Sequence, residues 1–147
     1  MLEEYKKKRD FSKTPEPSEN KSQKLGQGLI YSIQEHHASH LHYDLRLEEN
    51  GVLKSWAITK IPINKQGIKR LAVQTEDHPL SYYNFEGEIP EGEYGAGTVH
   101  MWDLGTYILK EKKENLIKIE IKGKMLYGTF ILVKLRSDPK NWLFFKS

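Results

Sequence analysis

Residues 41–48 read Leu-His-Tyr-Asp-Leu-Arg-Leu-Glu, apolar and polar in strict alternation. Successive side chains of a β-strand point to opposite faces, so Leu41, Tyr43, Leu45 and Leu47 share one face. His42, Asp44, Arg46 and Glu48 share the other, each about 6–7 Å from the next. The first face is an apolar stripe suited to a core. The second sets an imidazole, a carboxylate and a guanidinium in a row. His and Asp together can hold a divalent metal, and an adjacent Arg is a two-pronged donor for phosphate. A solvent-facing strand with incidental charges would read the same way. Upstream, however, His36, His37 and His40 precede His42, so four of the six histidines fall within seven residues.

Outward from this strand, the chain breaks into short β-type segments. Glu49-Asn50-Gly51 is a hairpin turn signal, with Val52–Ile58 as the partner strand. Arg70–Thr75 is strand-like. Thr98–Trp102 and Thr106–Leu109 read as two strands around a turn at Asp103-Leu104-Gly105. Leu116–Ile121, Thr129–Leu135 and Trp142–Phe145 follow, with turns at Lys122-Gly123-Lys124 and Ser137-Asp138-Pro139. Asp77 to Gly97 reads as a long irregular, functional loop region. About eight strands with almost no helical periodicity predict an all-β domain, an eight-stranded barrel with one or two short helices. Residues 1–26 are polar and predict a flexible N-terminal arm with a helical turn near Leu2–Arg9. Residues 27–147 form the barrel domain.

The 147 residues suffice for one domain with a core. No apolar run reaches a membrane span, no secretory signal opens the chain, and cysteine is absent. These features fit a soluble, cytoplasmic protein, and any metal site must be built from His, carboxylates and water. The net charge of +3 is polarised: residues 27–109 carry six basic against eleven acidic groups, and residues 110–147 carry ten against four. A basic flank beside an acidic centre suits an enzyme that grips a polyanion at its edges and a cation at its middle. Lysines kept for solubility predict the same numbers.

Two imidazoles with the Asp44 carboxylate would make a three-ligand set with open positions, which a catalytic metal needs. Spacing alone leaves open which of His36, His37 and His40 turns inward. His78, in Glu76-Asp77-His78-Pro79 at a loop start, could serve as general acid or as a donor to phosphate. Tyr82 lies four residues on and would reach the same place if that stretch is turned. Lys60, Lys69 and Arg70 could add positive charge around a phosphate. No P-loop or dinucleotide fingerprint is present.

These residues carry a resemblance that spans nearly the whole chain. LEEYKKKRDFSKTPEP at 2–17, HHASHLHYDLRLEENGVLKSWAITKIP at 36–62, KRLAVQTEDHPLSYYNFEGEIPEGEYGAGTVHMWDLGTY at 69–107 and NWLFFK at 141–146 stand in one order. Together they resemble the 3′-phosphoesterase domain of bacterial DNA ligase D, expected here as a free-standing protein. The resemblance implies a β-barrel enzyme of DNA break repair that depends on manganese. Such an enzyme removes a 3′-terminal ribonucleoside and then the 3′-phosphate, leaving a 3′-OH for separate ligase and polymerase proteins. It implies His36, His42 and Asp44 as metal ligands, and Arg46 and His78 as phosphate contacts. It further implies Lys60, Arg70 and Tyr82 as functional positions, with Asp10, Glu16 and Glu76 completing the candidate set. Ser39 and His40 stand where the family has basic residues, and Thr59-Lys60-Ile61-Pro62 replaces its usual turn. A non-catalytic module that binds nucleic-acid ends, or a phosphatase of small phosphoesters, is the alternative.

Overall fold

Asn50 and Gly51 both adopt positive φ, 51° and 82°, the two-residue turn that matches the twist of paired strands. This turn joins β2 (Leu41–Glu49) to β3 (Val52–Ile58). The computed structural model describes residues 2–18 and 28–147. The remaining strands are β1 (Leu29–His37), β4 (Lys69–Pro79), β5 (Gly87–Ile89), β6 (Gly97–Lys113), β7 (Leu116–Lys122), β8 (Tyr127–Lys134) and β9 (Asn141–Lys146). Helix is confined to α1 (Glu3–Lys7) and a 3-10 turn at Leu80–Asn84. The antiparallel order β1-β2-β3-β4-β9-β8-β7-β6 closes through β1–β6 pairing into an eight-stranded barrel, and β5 adds to the edge of β6. Closure removes the unpaired strand edges that an open sheet would present. Among the described residues no helix is long and apolar enough to cross a membrane.

Tyr43, Leu45 and Leu47 of β2 fill the barrel and pack with Tyr31, Ile33, Trp56, Ile58, Phe130 and Phe144, whereas Leu41, expected on the same stripe, is exposed at the start of the strand. The opposite face of β2 is buried as well. Asp44, Arg46 and Glu48 are at most 7% exposed, because the outer wall of β1–β4 is roofed by α1 and the 3-10 turn. Tyr5, Tyr82 and Tyr83 pack there on Ile30 and Leu53.

Three expectations need correction. The arm expected to be mobile is packed over residues 2–18. Tyr5 is fully buried, with its hydroxyl donating to the Pro17 carbonyl. Burial of a large apolar side chain contributes about 1.5–3 kcal/mol, enough to hold a short segment down. The boundary expected at residues 26 and 27 lies outside the described residues. Second, Asp103-Leu104-Gly105 is not a turn, and residues 97–113 form one strand. Asp103 is buried and accepts from the Tyr31 hydroxyl at 2.8 Å and from the backbone N–H of Lys124 and Leu126. A bulge opposite Ile33 and Gln34 absorbs the extra residue. Third, β4 runs on to Pro79, because Leu53 pairs with His78 and Val52 with Pro79. His78 is therefore a strand residue, and the irregular stretch at 77–97 contains the 3-10 turn and β5.

Candidate active site

β1 and β2 form a hairpin through residues 38–40, and its register sets His36 directly opposite His42. Cross-strand partners of this kind hold their Cβ atoms about 4.5–5.5 Å apart. Asp44, one pleat further along the same face, completes the group. Ligand atoms of His36, His42 and Asp44 lie within 4.8 Å of one another, the one such group of three among the described residues. His37 turns away and pairs with Glu35 at 2.7 Å.

Hydrogen bonds orient both rings, and they assign the tautomers. His36 Nε2–H donates to the Gly95 carbonyl at 2.7 Å, and His42 Nδ1–H donates to the His40 carbonyl at 3.1 Å. His36 Nδ1 and His42 Nε2 are left as lone pairs, 3.5 and 3.3 Å from Asp44 Oδ2. Three lone-pair donors converging on one point repel each other unless a cation sits among them. Rings whose far nitrogens are tied to carbonyls are the usual setting of metal-ligating histidines. The donor set therefore fits a divalent metal that accepts nitrogen and oxygen. The same demand for positive charge is visible in the titration. Burial opposes ionisation of Asp44, yet the Arg46 guanidinium, with the His36 and His42 contacts, holds its carboxyl far below the usual range. Burial likewise opposes charge on His42, but Asp44 favours it: without a cation among the three groups, a proton on Nε2 takes that place, donates to Asp44 and raises the pKa of the ring. Gly95 has φ +77°, a left-handed conformation that glycine adopts without strain, and an added Cβ would lie 3.4 Å from His36 Cε1.

The three ligands line a cavity of about 290 Å³ together with Arg46, His78 and Tyr82. Arg46 Nε donates to Gln34 Oε1 at 3.0 Å, and its guanidinium lies 5.0 Å over the Tyr82 ring. Gln34 in turn donates through Nε2 to the carbonyls of Tyr82 and Phe85 at 2.9 and 3.0 Å. One buried amide thus locks the fork to the 3-10 turn. His78 Nδ1–H donates to the Glu76 carbonyl at 2.9 Å, leaving Nε2 to accept from Arg9 Nη2 at 3.4 Å. Burial, followed by the charges of Arg46 and Arg9, pushes the pKa of His78 well below its ordinary value. The ring lines the same cavity as His36, His42 and Asp44, between the two guanidiniums. Tyr82 hydroxyl donates to Glu16 Oε2 at 2.7 Å.

Glu16 and Glu76 join through Arg9. Arg9 Nε donates to Glu16 at 3.0 Å and Nη1 to Glu76 at 3.1 Å, with all three side chains at most 6% exposed. Arg9 is not among the candidate residues read from sequence, and the structure buries its guanidinium over the Tyr5 ring at 4.0 Å. Tyr5 lies on α1 and Arg9 two residues past its end, and their spacing of four was the one available signal. Gln34 was signalled only by sharing the face of His36. Nothing local marked Gly95 or Tyr94, which lies at the mouth of the cavity with its hydroxyl 3.4 Å from Lys8 Nζ.

Three expected residues do not line this cavity. Asp10 is exposed and accepts from Ser12 at 2.6 Å. Lys60 is exposed beyond the end of β3. Arg70 lies in register with Phe144, next to Ala72 in alternation with the outer face, and its Nε donates to the Ile61 carbonyl at 2.9 Å.

Residues 34–134 match the DNA Ligase D 3'-phosphoesterase domain. The chain is 48% identical over 154 residues to the multifunctional non-homologous end joining protein LigD of Pseudomonas aeruginosa, a match covering 99% of this chain and 18% of that protein. It is 43% identical over 146 residues to the multifunctional non-homologous end joining DNA repair protein LigD of Mycobacterium tuberculosis, covering 97% and 19%. The corresponding protein of Mycolicibacterium smegmatis is 43% identical over 153 residues, covering 97% and 20%. The chain spans about a fifth of the length of these relatives. With a match over more than two thirds of its residues and the barrel that the resemblance implied, the chain belongs to the DNA ligase D 3′-phosphoesterase domain family.

Proposed function

We propose that this protein is a manganese-dependent phosphoesterase that heals DNA 3′ ends, removing a 3′-terminal ribonucleoside and then the 3′-phosphate. The observation that carries this reading is the adjacency, on one buried outer wall, of a three-ligand cation site and a guanidinium locked by an amide. His36, His42 and Asp44 would hold the metal. When bound, it would supply charge neutralisation at the phosphoryl oxygens and a lowered pKa for water.

The chain's own residues would do the rest. Arg46 is positioned beside Asp44, 3.7 Å from its carboxylate, and would present its guanidinium to non-bridging oxygens. Gln34 and the Tyr82 ring fix that guanidinium in advance, so no side-chain reorganisation is needed when phosphate enters. His78, which lines the same cavity between Arg46 and Arg9, would contact the phosphate through Nε2 when that nitrogen carries a proton. Arg9, Glu16 and Glu76 close the wall on the side of the arm, where a terminal nucleoside beyond the phosphate would lie. Lys60, Arg70 and Asp10 lie outside this cavity and take no part in the proposed reaction.

The test is incubation with a duplex bearing a recessed 3′-phosphate or a single 3′-ribonucleotide, with and without manganese. A 3′-OH product that requires the metal supports the proposal. Binding without turnover would favour the end-binding module, and equal turnover of a free sugar phosphate would favour the small-molecule phosphatase.

A further inference from the structure

The cavity of His36, His42 and Asp44 has a lining of two kinds. One part is charged and hydrogen-bonding, and includes Arg46, His78, Tyr82 and Arg9. The other is Ala38, Ile89, Gly95 and the ring of Tyr94. This second part lies against the His36 ring, since a Cβ added at Gly95 would stand 3.4 Å from His36 Cε1 and 3.8 Å from Ile89 Cδ1. A phosphate group, whose oxygens seek donors and cations, has no use for an apolar wall. A ligand that fits the whole cavity therefore joins a phosphate to an apolar body.

Tyr94 is the exposed member of that wall, and its backbone is fixed from both directions. Between β5 and β6, Glu93 N–H donates to the Pro90 carbonyl and Ala96 N–H to the Glu93 carbonyl, each at 3.1 Å, so Tyr94 sits inside a closed turn. The carbonyl of the next residue, Gly95, is held by His36 Nε2–H at 2.7 Å. The N-terminal segment braces the ring itself. Lys8 and Arg9 lie 4.8 and 5.2 Å over it, and Lys8 Nζ donates to its hydroxyl at 3.4 Å. Tyr94 nevertheless remains 46% exposed. An aromatic ring that is immobilised at the mouth of a cavity, and not covered there by the protein, offers a rigid face to a flat ligand.

We propose that Tyr94 is a positioning residue for the nucleoside at the 3′ terminus. With the phosphodiester held beside His36, His42, Asp44 and Arg46, the base of the terminal nucleoside packs on the Tyr94 ring. The assignment rests on the function proposed above and adds to it the group that receives the leaving side of the substrate. Every base has a π-face, so such stacking tolerates any sequence and distinguishes a base from none. Removing a stacking ring typically lowers affinity by roughly 5- to 150-fold for one base.

The test uses the whole chain with manganese and three duplexes with a recessed 3′ end. One ends in a ribonucleotide, one in a terminal ribose that lacks its base, and one in a 3′-phosphate. The wild-type protein should act on the ribonucleotide end with a kcat/KM roughly 5- to 150-fold above that for the baseless end. In Tyr94→Ala that preference should collapse, because the two partners of one contact are then removed in turn and the second removal costs little. Tyr94→Phe keeps the ring and gives up only the bond from Lys8, so it should retain the preference. A base preference that survives in Tyr94→Ala overturns the proposal. So does an equal loss on all three ends, which would show that the ring only braces the segment and His36. A preference lost in Tyr94→Phe as fully as in Tyr94→Ala assigns the effect to the Lys8 bond and overturns it as well. Turnover of none of the three ends by the wild-type protein overturns the proposed function, and the role of Tyr94 with it.

Discussion

Replacing Arg9 with methionine should release the N-terminal segment from the barrel wall. Methionine keeps much of the stem that packs on Tyr5 but strands two carboxylates, Glu16 and Glu76, at 1% and 3% side-chain exposure. Breaking a buried pair by removing one partner typically costs about 3–5 kcal/mol, since the charge left behind stays desolvated. Lys8 remains 3.2 Å from Glu76 and offsets part of that, so the lower end of the range is expected. The loss matches or exceeds the roughly 1.5–3 kcal/mol expected from burying Tyr5. The segment should therefore detach while the barrel, whose core lies on the other side of the sheet, stays folded. Limited proteolysis reads this directly, as faster cleavage within residues 2–18 with an unchanged unfolding transition of the barrel. Restoring neutrality with Glu16→Gln and Glu76→Gln in the Arg9→Met background should recover much of the protection. Wild-type cleavage rates in Arg9→Met would refute the claim that this ion-pair cluster fastens the segment.

His42→Ala and Asp44→Ala should each abolish manganese binding, measured by electron paramagnetic resonance, and all turnover, while circular dichroism stays that of a folded barrel. Retained metal in either variant would remove these residues from the ligand set. Arg46→Lys should keep manganese yet lose about 10²–10³ in kcat on a 3′-phosphate end, because an ammonium cannot replace a fork preset by Gln34. Near-wild-type kcat would place Arg46 outside the reaction. Glu76 predicts an acid limit to docking of the segment. Burial raises its pKa, but hydrogen bonds from its own backbone, Arg9 and Lys8 bring it below the ordinary 4.5. A depressed carboxyl contributes stability that is fully present above the unfolded value and lost as pH falls through the folded one. Protection from proteolysis should thus hold at neutral pH and fade only below about pH 4.5, and Glu76→Gln should flatten that fade. A loss centred near pH 6 would point to another group.

Local chemistry was enough for the barrel wall. The period of two in residues 41–48 assigned each side chain to a face, because a pleated strand allows no other arrangement. Asn50-Gly51 marked its own turn through two positive φ angles. The same logic failed at Asp103-Leu104-Gly105, where turn-forming residues are held in one long strand by partners far along the chain, Tyr31 among them. It also failed for Arg9, whose neighbours are all charged, so that only contact with Glu16 and Glu76 could mark it as buried. The choice of His36 over its neighbours could be inferred from resemblance, but its physical cause is nonlocal. The register of β1 against β2 and the Gly95 carbonyl, 59 residues away, aim the ring. Lys60 and Arg70 suited a phosphate site by residue type, yet strand alternation and the ends of β3 and β4 set them outside the cavity. The sequence by itself therefore determined which residues could share a face, since alternation depends only on adjacent peptide units. Which of those faces became a roofed, charge-bearing pocket was decided only by closure of the barrel and docking of residues 2–18, since burial and convergence need segments brought together across the whole chain.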